Sequence, residues 1–172
     1  MEKKKSSYKA LFFKSPKERA REGKLTYVRK EYHERICRLL LFLDGDNSSI
    51  YGFIDNVLQE HFALHKGEIE KLYELNNKPL FSLEATTLPE EGTDSYRKHF
   101  FKEPDISGRK GKLTYLRSEY HELICRLLLL ADDGRTSIYG FIDNVLAEHF
   151  NRYRKAISEM YAESQKPIFL SD

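Results

Sequence analysis

One unit is written twice in this chain, and that repetition limits the folds open to it more than any other property. Residues 7–82 align with residues 95–170 at a constant offset of 88, without a gap, and about 42 of the 76 pairs are identical. The longest shared stretches are GKLTY at Gly23 to Tyr27 and Gly111 to Tyr115, EYHE followed by ICRLLL, and SIYGFIDNVL at Ser49 to Leu58 and Ser137 to Leu146. Between the copies, residues 83–94 (LEATTLPEEGTD) are rich in turn formers and acid and read as a linker. A chain of 172 residues holds one medium domain or two small ones, which excludes a large multidomain enzyme.

Each copy reads as strand, helix, helix. After Gly23 and Gly111 come KLTYVR and KLTYLR, short runs with Thr, Tyr and a branched aliphatic, as strands prefer. Tyr32, Ile36, Leu39, Leu40 and Leu43 then recur at steps of three and four, matched by Tyr120, Ile124, Leu127, Leu128 and Ala131, the pattern of an amphipathic helix. Ser49 and Ser137 stand where an N-cap belongs, ahead of Ile50, Phe53, Ile54, Val57, Leu58 and Phe62 and their counterparts up to Phe150. Ile69, Leu72 and Tyr73 keep the step, so the second helix is expected to run on past His65. A lone strand with two apolar helices can neither satisfy its backbone hydrogen bonds nor cover its apolar faces. If the two strands pair antiparallel, the helices interlock beneath them. The expected fold is therefore mainly α with a two-stranded antiparallel β-ribbon, the copies 7–82 and 95–170 forming one covalent pseudo-dimer that acts as a monomer.

That order, from Lys24 to Arg29, Glu31 to Leu43 and Ser49 to Phe62, with partners at Lys112 to Arg117, Glu119 to Ala131 and Ser137 to Phe150, resembles the ribbon-helix-helix (Arc, MetJ and CopG type) DNA-binding superfamily. More closely, TYVRKEYHERICRLLL followed by SIYGFIDNVLQEHF resembles an uncharacterised domain family encoded on bacterial conjugative transposons, usually with one copy per chain. The likeness covers about 50 residues of each half. It implies sequence-specific binding of double-stranded DNA, with the ribbon in the major groove and the helix starts at Ser49 and Ser137 on flanking phosphates. It also implies a role as regulator or accessory factor of mobile-element transfer, with other transfer proteins as partners. Duplication within one chain departs from the superfamily pattern of two identical paired chains.

Alternation along the ribbon exposes either Lys24, Thr26 and Val28 or Leu25, Tyr27 and Arg29. Amphipathicity favours the first set. The superfamily pattern, which buries the aliphatic before the first helix (Val28, Leu116), favours the second and is preferred here. The resulting candidate DNA contacts are Lys24, Thr26, Tyr27, Arg29, Ser49, Lys112, Thr114, Tyr115, Arg117 and Ser137. Arg29 and Arg117 would pair bidentately with guanine, and Tyr27 and Tyr115 would meet thymine methyls or phosphate. Charge is distributed accordingly. The chain carries a formal +2, yet residues 1–30 hold 11 basic and 3 acidic side chains and residues 97–117 hold 7 and 2, together +13, which leaves −11 elsewhere. A helix-turn-helix reading is disfavoured, because Asp55, Glu60, Asp143 and Glu148 on the second helices, with Asp44, Asp46, Asp132 and Asp133 before them, would face phosphates. The alternative from another class is a helical interaction module whose ribbon never meets DNA.

Catalysis, cofactors and metals are not expected. His33 with Cys37, and His121 with Cys125, have the spacing of two ligands on one helix face, but the thiols read as small core groups. Glu60 and His61, or Glu148 and His149, are helical neighbours about 100° apart and do not converge as an acid and base. Asn56 and Asn144 are expected to bond across the interlocked helices. The pairs Phe12–Phe13 and Phe100–Phe101, each in FFK-x-P, are expected to tuck the segments ahead of the strands onto the core, and KPLF and KPIF after the helices to fold the chain back. Apolar runs reach about five residues, far below the roughly 20 of a membrane helix. Two cysteines and no apolar leader segment suit a cytoplasmic protein.

Overall fold

The computed structural model describes residues 8, 11–13, 22–44, 48–76, 91–102, 108–132 and 134–164. Each copy contributes one strand, β1 (Lys24–Val28) and β2 (Lys112–Leu116), too short to stand alone. They pair antiparallel with each other, Thr26 opposite Thr114 at the centre and Leu25 opposite Tyr115, Tyr27 opposite Leu113 on either side. Val28 and Leu116, both about 1% exposed, anchor the ribbon on the helices beneath.

In the first copy, α1 (Lys30–Asp44), α2 (Ile50–Leu64) and α3 (Lys66–Asn76) follow the strand. The arm of the second copy forms α4 (Glu91–Phe100), and β2 leads into α5 (Ser118–Asp132), α6 (Ile138–Arg152) and α7 (Arg154–Ser164). The chemistry of the sequence explains these bounds. Helices α1 and α5 bury Ile36, Leu39 and Leu40, and Ile124, Leu127 and Leu128, the expected stripe at helical spacing. Ser49 and Ser137 have extended backbone and each accepts a hydrogen bond from the third amide of its helix, Gly52 N and Gly140 N, at 3.0 Å. Helices α2 and α6 are buried along most of their length and cross at the centre, each also packing under the strand of the opposite copy. Helix α3 packs on α5 and α7 on α1, so the third helix of each copy covers the first helix of the other. Aromatic rings fill the crossing, with Phe53 stacked on Phe150 at 6.4 Å and Phe62 on Phe141 at 6.5 Å.

Four expectations are corrected. The second helix does not run through His65, where the backbone leaves helical geometry (φ −104°, ψ 17°) before α3 begins. The end of the expected linker, residues 91–94, is helical, because Tyr96 and Phe100 further along α4 are buried against the core and carry the segment with them. Asn56 Nδ2 donates to Phe12 O at 3.1 Å and Asn144 Nδ2 to Phe100 O, at the end of α4, at 3.0 Å, so each asparagine holds the arm of its own copy, where the expected bond ran between the interlocked helices of the two copies. Cys37 is exposed instead of packed in the core. Tucking of the aromatic pairs holds, with Phe12 and Phe100 both buried. The basic start 1–5, Asp46, Pro16 and Pro104, linker residues 83–90, and the KPLF and KPIF segments lie outside the described residues.

Candidate nucleic-acid interface

Strand pairing leaves one face of the ribbon on the helices and the other outward. The outward face carries Leu25 (57% exposed), Tyr27 (40%), Leu113 (56%) and Tyr115 (38%), arranged by the register as two Leu–Tyr cross-strand pairs. Lys24 and Lys112 lie on the opposite alternation but stand at the strand starts and are exposed. Of the two faces open to the sequence, the second is therefore the outward one. Thr26 and Thr114 are its converse, buried and paired with each other beneath the ribbon, so their expected base contacts are withdrawn.

Arg29 and Arg117 also require correction. They do not extend from the ribbon but turn inward to carboxylates of the other copy. Arg29 Nε and Nη2 donate to Asp143 Oδ1 and Oδ2, both at 2.8 Å, and Arg117 Nε and Nη2 donate to Asp55 Oδ1 and Oδ2 at 2.9 and 2.6 Å. Asp55 and Asp143 sit on the most buried helices, where an unpaired carboxylate is costly, and a two-pronged guanidinium satisfies both oxygens. The guanidinium groups lie over Tyr32 at 5.4 Å and Tyr120 at 4.9 Å. The hydrogen bonds to Asp143 raise the pKa of Arg29 further, which fixes it as a cation. These arginines are committed to joining the copies.

Ser49 and Ser137 are exposed at the starts of α2 and α6. Since each hydroxyl caps the third amide, the first amides of the helix have no carbonyl one turn back and carry the positive end of the helix dipole. Packing sets α2 against β2 and α6 against β1. Arg135, two residues before Ser137, is exposed there too and was not singled out from the sequence.

Two further pairs connect the copies. The Tyr8 hydroxyl is hydrogen-bonded to His149 Nε2 at 2.9 Å, and that of Tyr96 to His61 Nε2 at 2.9 Å, so each arm reaches the central helix of the opposite copy. Burial is the first cause of every shift here. It raises both tyrosines far above 10, lowers His149 to about 3, with the Arg152 cation adding to the effect, and lowers His61 well below 6.5. Burial holds both histidines neutral near neutral pH. A charged or polar residue inside an apolar helical stripe, at the same place in both copies, was the available signal for Asp55, His61, Asp143 and His149. Their partners stand too far along the chain for any spacing rule. His33 Nδ1 and Cys37 Sγ, like His121 Nδ1 and Cys125 Sγ, come within 3.7 Å of each other along one helix face.

A ribbon supplied by two strands, braced by capped helices exchanged between tandem copies, defines the class: a mostly helical tandem-repeat protein with one two-stranded antiparallel sheet. Within that class, a family model described as "Protein of unknown function (DUF3408)" matches residues 2–76 and again 81–164, and the chain belongs to that family. The double match follows the internal repeat. No curated protein and no solved structure matches the chain. Among the described residues no helix is long and apolar enough to cross a membrane.

Proposed function

We propose that this protein is a single-chain ribbon-helix-helix pseudo-dimer that binds double-stranded DNA sequence-specifically, laying β1 and β2 in one major groove. The observation that carries the reading is the outward ribbon face, with Leu25, Tyr27, Leu113 and Tyr115 free of the core and Lys24 and Lys112 at its edges. A two-stranded ribbon fits the width of the major groove. Tyrosine and leucine there suit thymine methyls, the lysines suit phosphates, and the amides at the starts of α2 and α6 suit the flanking backbone. Loss of Arg29 and Arg117 from the reading set moves specificity onto Tyr27 and Tyr115. The copies differ at Val28 and Leu116 and at Lys30 and Ser118, so the preferred site is an imperfect palindrome. A role in mobile-element transfer, as regulator or accessory factor, rests on the family resemblance alone.

Methylation interference tests the groove. Methylating guanine N7 in the free duplex before protein is added should block binding at a central cluster of positions. Interference confined to the minor groove, or none, would remove the ribbon from the major groove.

A second reading is favoured by the same leucines. Leu25 and Leu113 are more than half exposed, and Leu41, Phe42 and Leu129 add apolar surface on α1 and α5. Such a surface also suits a protein partner, with the ribbon joining a transfer or partition assembly.

A further inference from the structure

The internal repeat supplies its own control at one corner of the core. In the second copy Tyr153 donates its hydroxyl to Glu60 of the first copy, 2.8 Å from each carboxylate oxygen, and closes that corner. At the equivalent corner the sequence places His65 where Tyr153 stands, and Glu148 where Glu60 stands. Here the closure is lost. His65 Nε2 lies 3.6 Å from Glu148 Oε1, and neither that nitrogen nor Glu148 Oε2 has a hydrogen-bond partner among the described residues, although both atoms are buried. Arg152 holds Glu148 through Oε1, so Oε2 is the oxygen left over. Beside them opens a cavity of about 220 Å³ lined in part by Tyr96, His99 and Glu68.

We propose that His61, His65 and Glu148 form a binding site for one zinc-class divalent cation, open toward this cavity for a fourth ligand. His61 in the last turn of α2 and His65 at its C-cap stand one turn apart, and Glu148 arrives from the central helix of the other copy; one ligand atom from each lies within 4.8 Å of the others. A tetrahedral zinc ion holds its ligands roughly 3.4 Å apart, from bonds of about 2.1 Å. The set closes by rotation of His65, which sits at a helix end with its side chain 20% exposed to the cavity. Two imidazoles and one carboxylate favour zinc, cobalt or nickel over calcium or magnesium, which take oxygen ligands. Tyr96 engages Nε2 of His61, which leaves Nδ1 for the cation. His99 lines the same cavity, with its Nδ1 bonded to Ser95 O at 2.8 Å. Arg152 opposes the ion by like charge, which moderates the affinity. The ion would staple α2 to α6 at one of the two equivalent corners.

Calorimetric titration of the tag-free, full-length protein with zinc chloride tests this, in a Cys37→Ser, Cys125→Ser background that removes the thiols as competing ligands. One zinc per chain is expected. His65→Tyr, which rebuilds the closed corner already used by the other copy, should weaken binding at least tenfold, and Glu148→Gln, a second variant of nearly the same shape, should do the same. Absence of zinc binding at millimolar concentration, or binding unchanged in both variants, would overturn the site.

Discussion

Arg29 and Asp143 stand 114 positions apart and meet through two parallel hydrogen bonds of 2.8 Å, and Arg117 repeats the contact with Asp55. With side-chain exposures of 17% and 5% for the first pair, the contact is well shielded from water. Replacing Arg29 by Ala leaves Asp143 buried without its cation and should cost about 3 kcal/mol. Arg29→Met with Asp143→Leu should recover much of that loss, as buried pairs often do when both charges are removed. Urea denaturation of the single and double variants measures both effects. A cost below about 0.5 kcal/mol for the single variant would place the pair among ordinary surface contacts.

The buried imidazole of His149 makes stability depend on pH. Its folded pKa, about 3, lies below the ordinary 6.5, because burial first and the Arg152 cation second oppose its charge. The unfolded chain therefore takes up the proton more readily. The contribution is fully present above pH 6.5 and is lost as pH falls from there toward 3. Between pH 7.5 and 5.0 this one group should cost about 2 kcal/mol. Denaturation at both pH values, with chelator present, should show a smaller acid loss in His149→Asn than in the parent. Equal losses would mean that His149 protonates without penalty in the folded state.

Gly111 precedes β2 where the backbone of β1 passes closely. A Cβ at this position would lie 2.6 Å from Val28 O and 3.0 Å from Gly108 O. Both are backbone atoms and cannot rotate away. Gly111→Ala should therefore shift the end of the ribbon and destabilise by about 1 to 3 kcal/mol. Gly67→Ala, with open space around it, serves as the control. Equal melting temperatures for the two variants would contradict the close approach.

On the outward ribbon face, function and stability should separate. Tyr27→Ala with Tyr115→Ala removes exposed side chains, so stability should stay within about 0.5 kcal/mol per site. DNA affinity should fall at least tenfold, which is about 1.4 kcal/mol. Lys24→Ala and Lys112→Ala should each lower the salt slope of binding by about 1. Fluorescence anisotropy at several salt concentrations reads both. An unchanged affinity in the tyrosine variant would favour the protein-partner reading.

Much of this architecture was legible because the repeat made every local signal appear twice. The strand, the first helix and the serine cap each follow from short-range rules that residues such as Ile36, Leu40 and Ser49 obey. Amphipathicity misled at the ribbon, since Leu25 and Tyr27 are more apolar than Lys24 and Thr26 yet face outward. Val28 and Leu116 decide the matter by filling the core directly before the helices. Arg29 looked like a reader of guanine because its alternation is outward, and only the fold brings Asp143 to it. Helix α4 was hidden for a related reason: EGTD reads as turn, and the burial of Tyr96 and Phe100 that holds the helix depends on His61 and Asn144, far along the chain. The break at His65 had no local marker such as Pro.

Selection from a randomised duplex library decides whether the paired ribbon reads duplex DNA. The purified protein is bound to the library at several salt concentrations and the retained DNA is sequenced, alongside the Tyr27→Ala, Tyr115→Ala variant. The expected result is an enriched, nearly two-fold motif, a steep salt dependence, and loss of enrichment in the variant. Retention without any enriched sequence, equal in parent and variant, would contradict it.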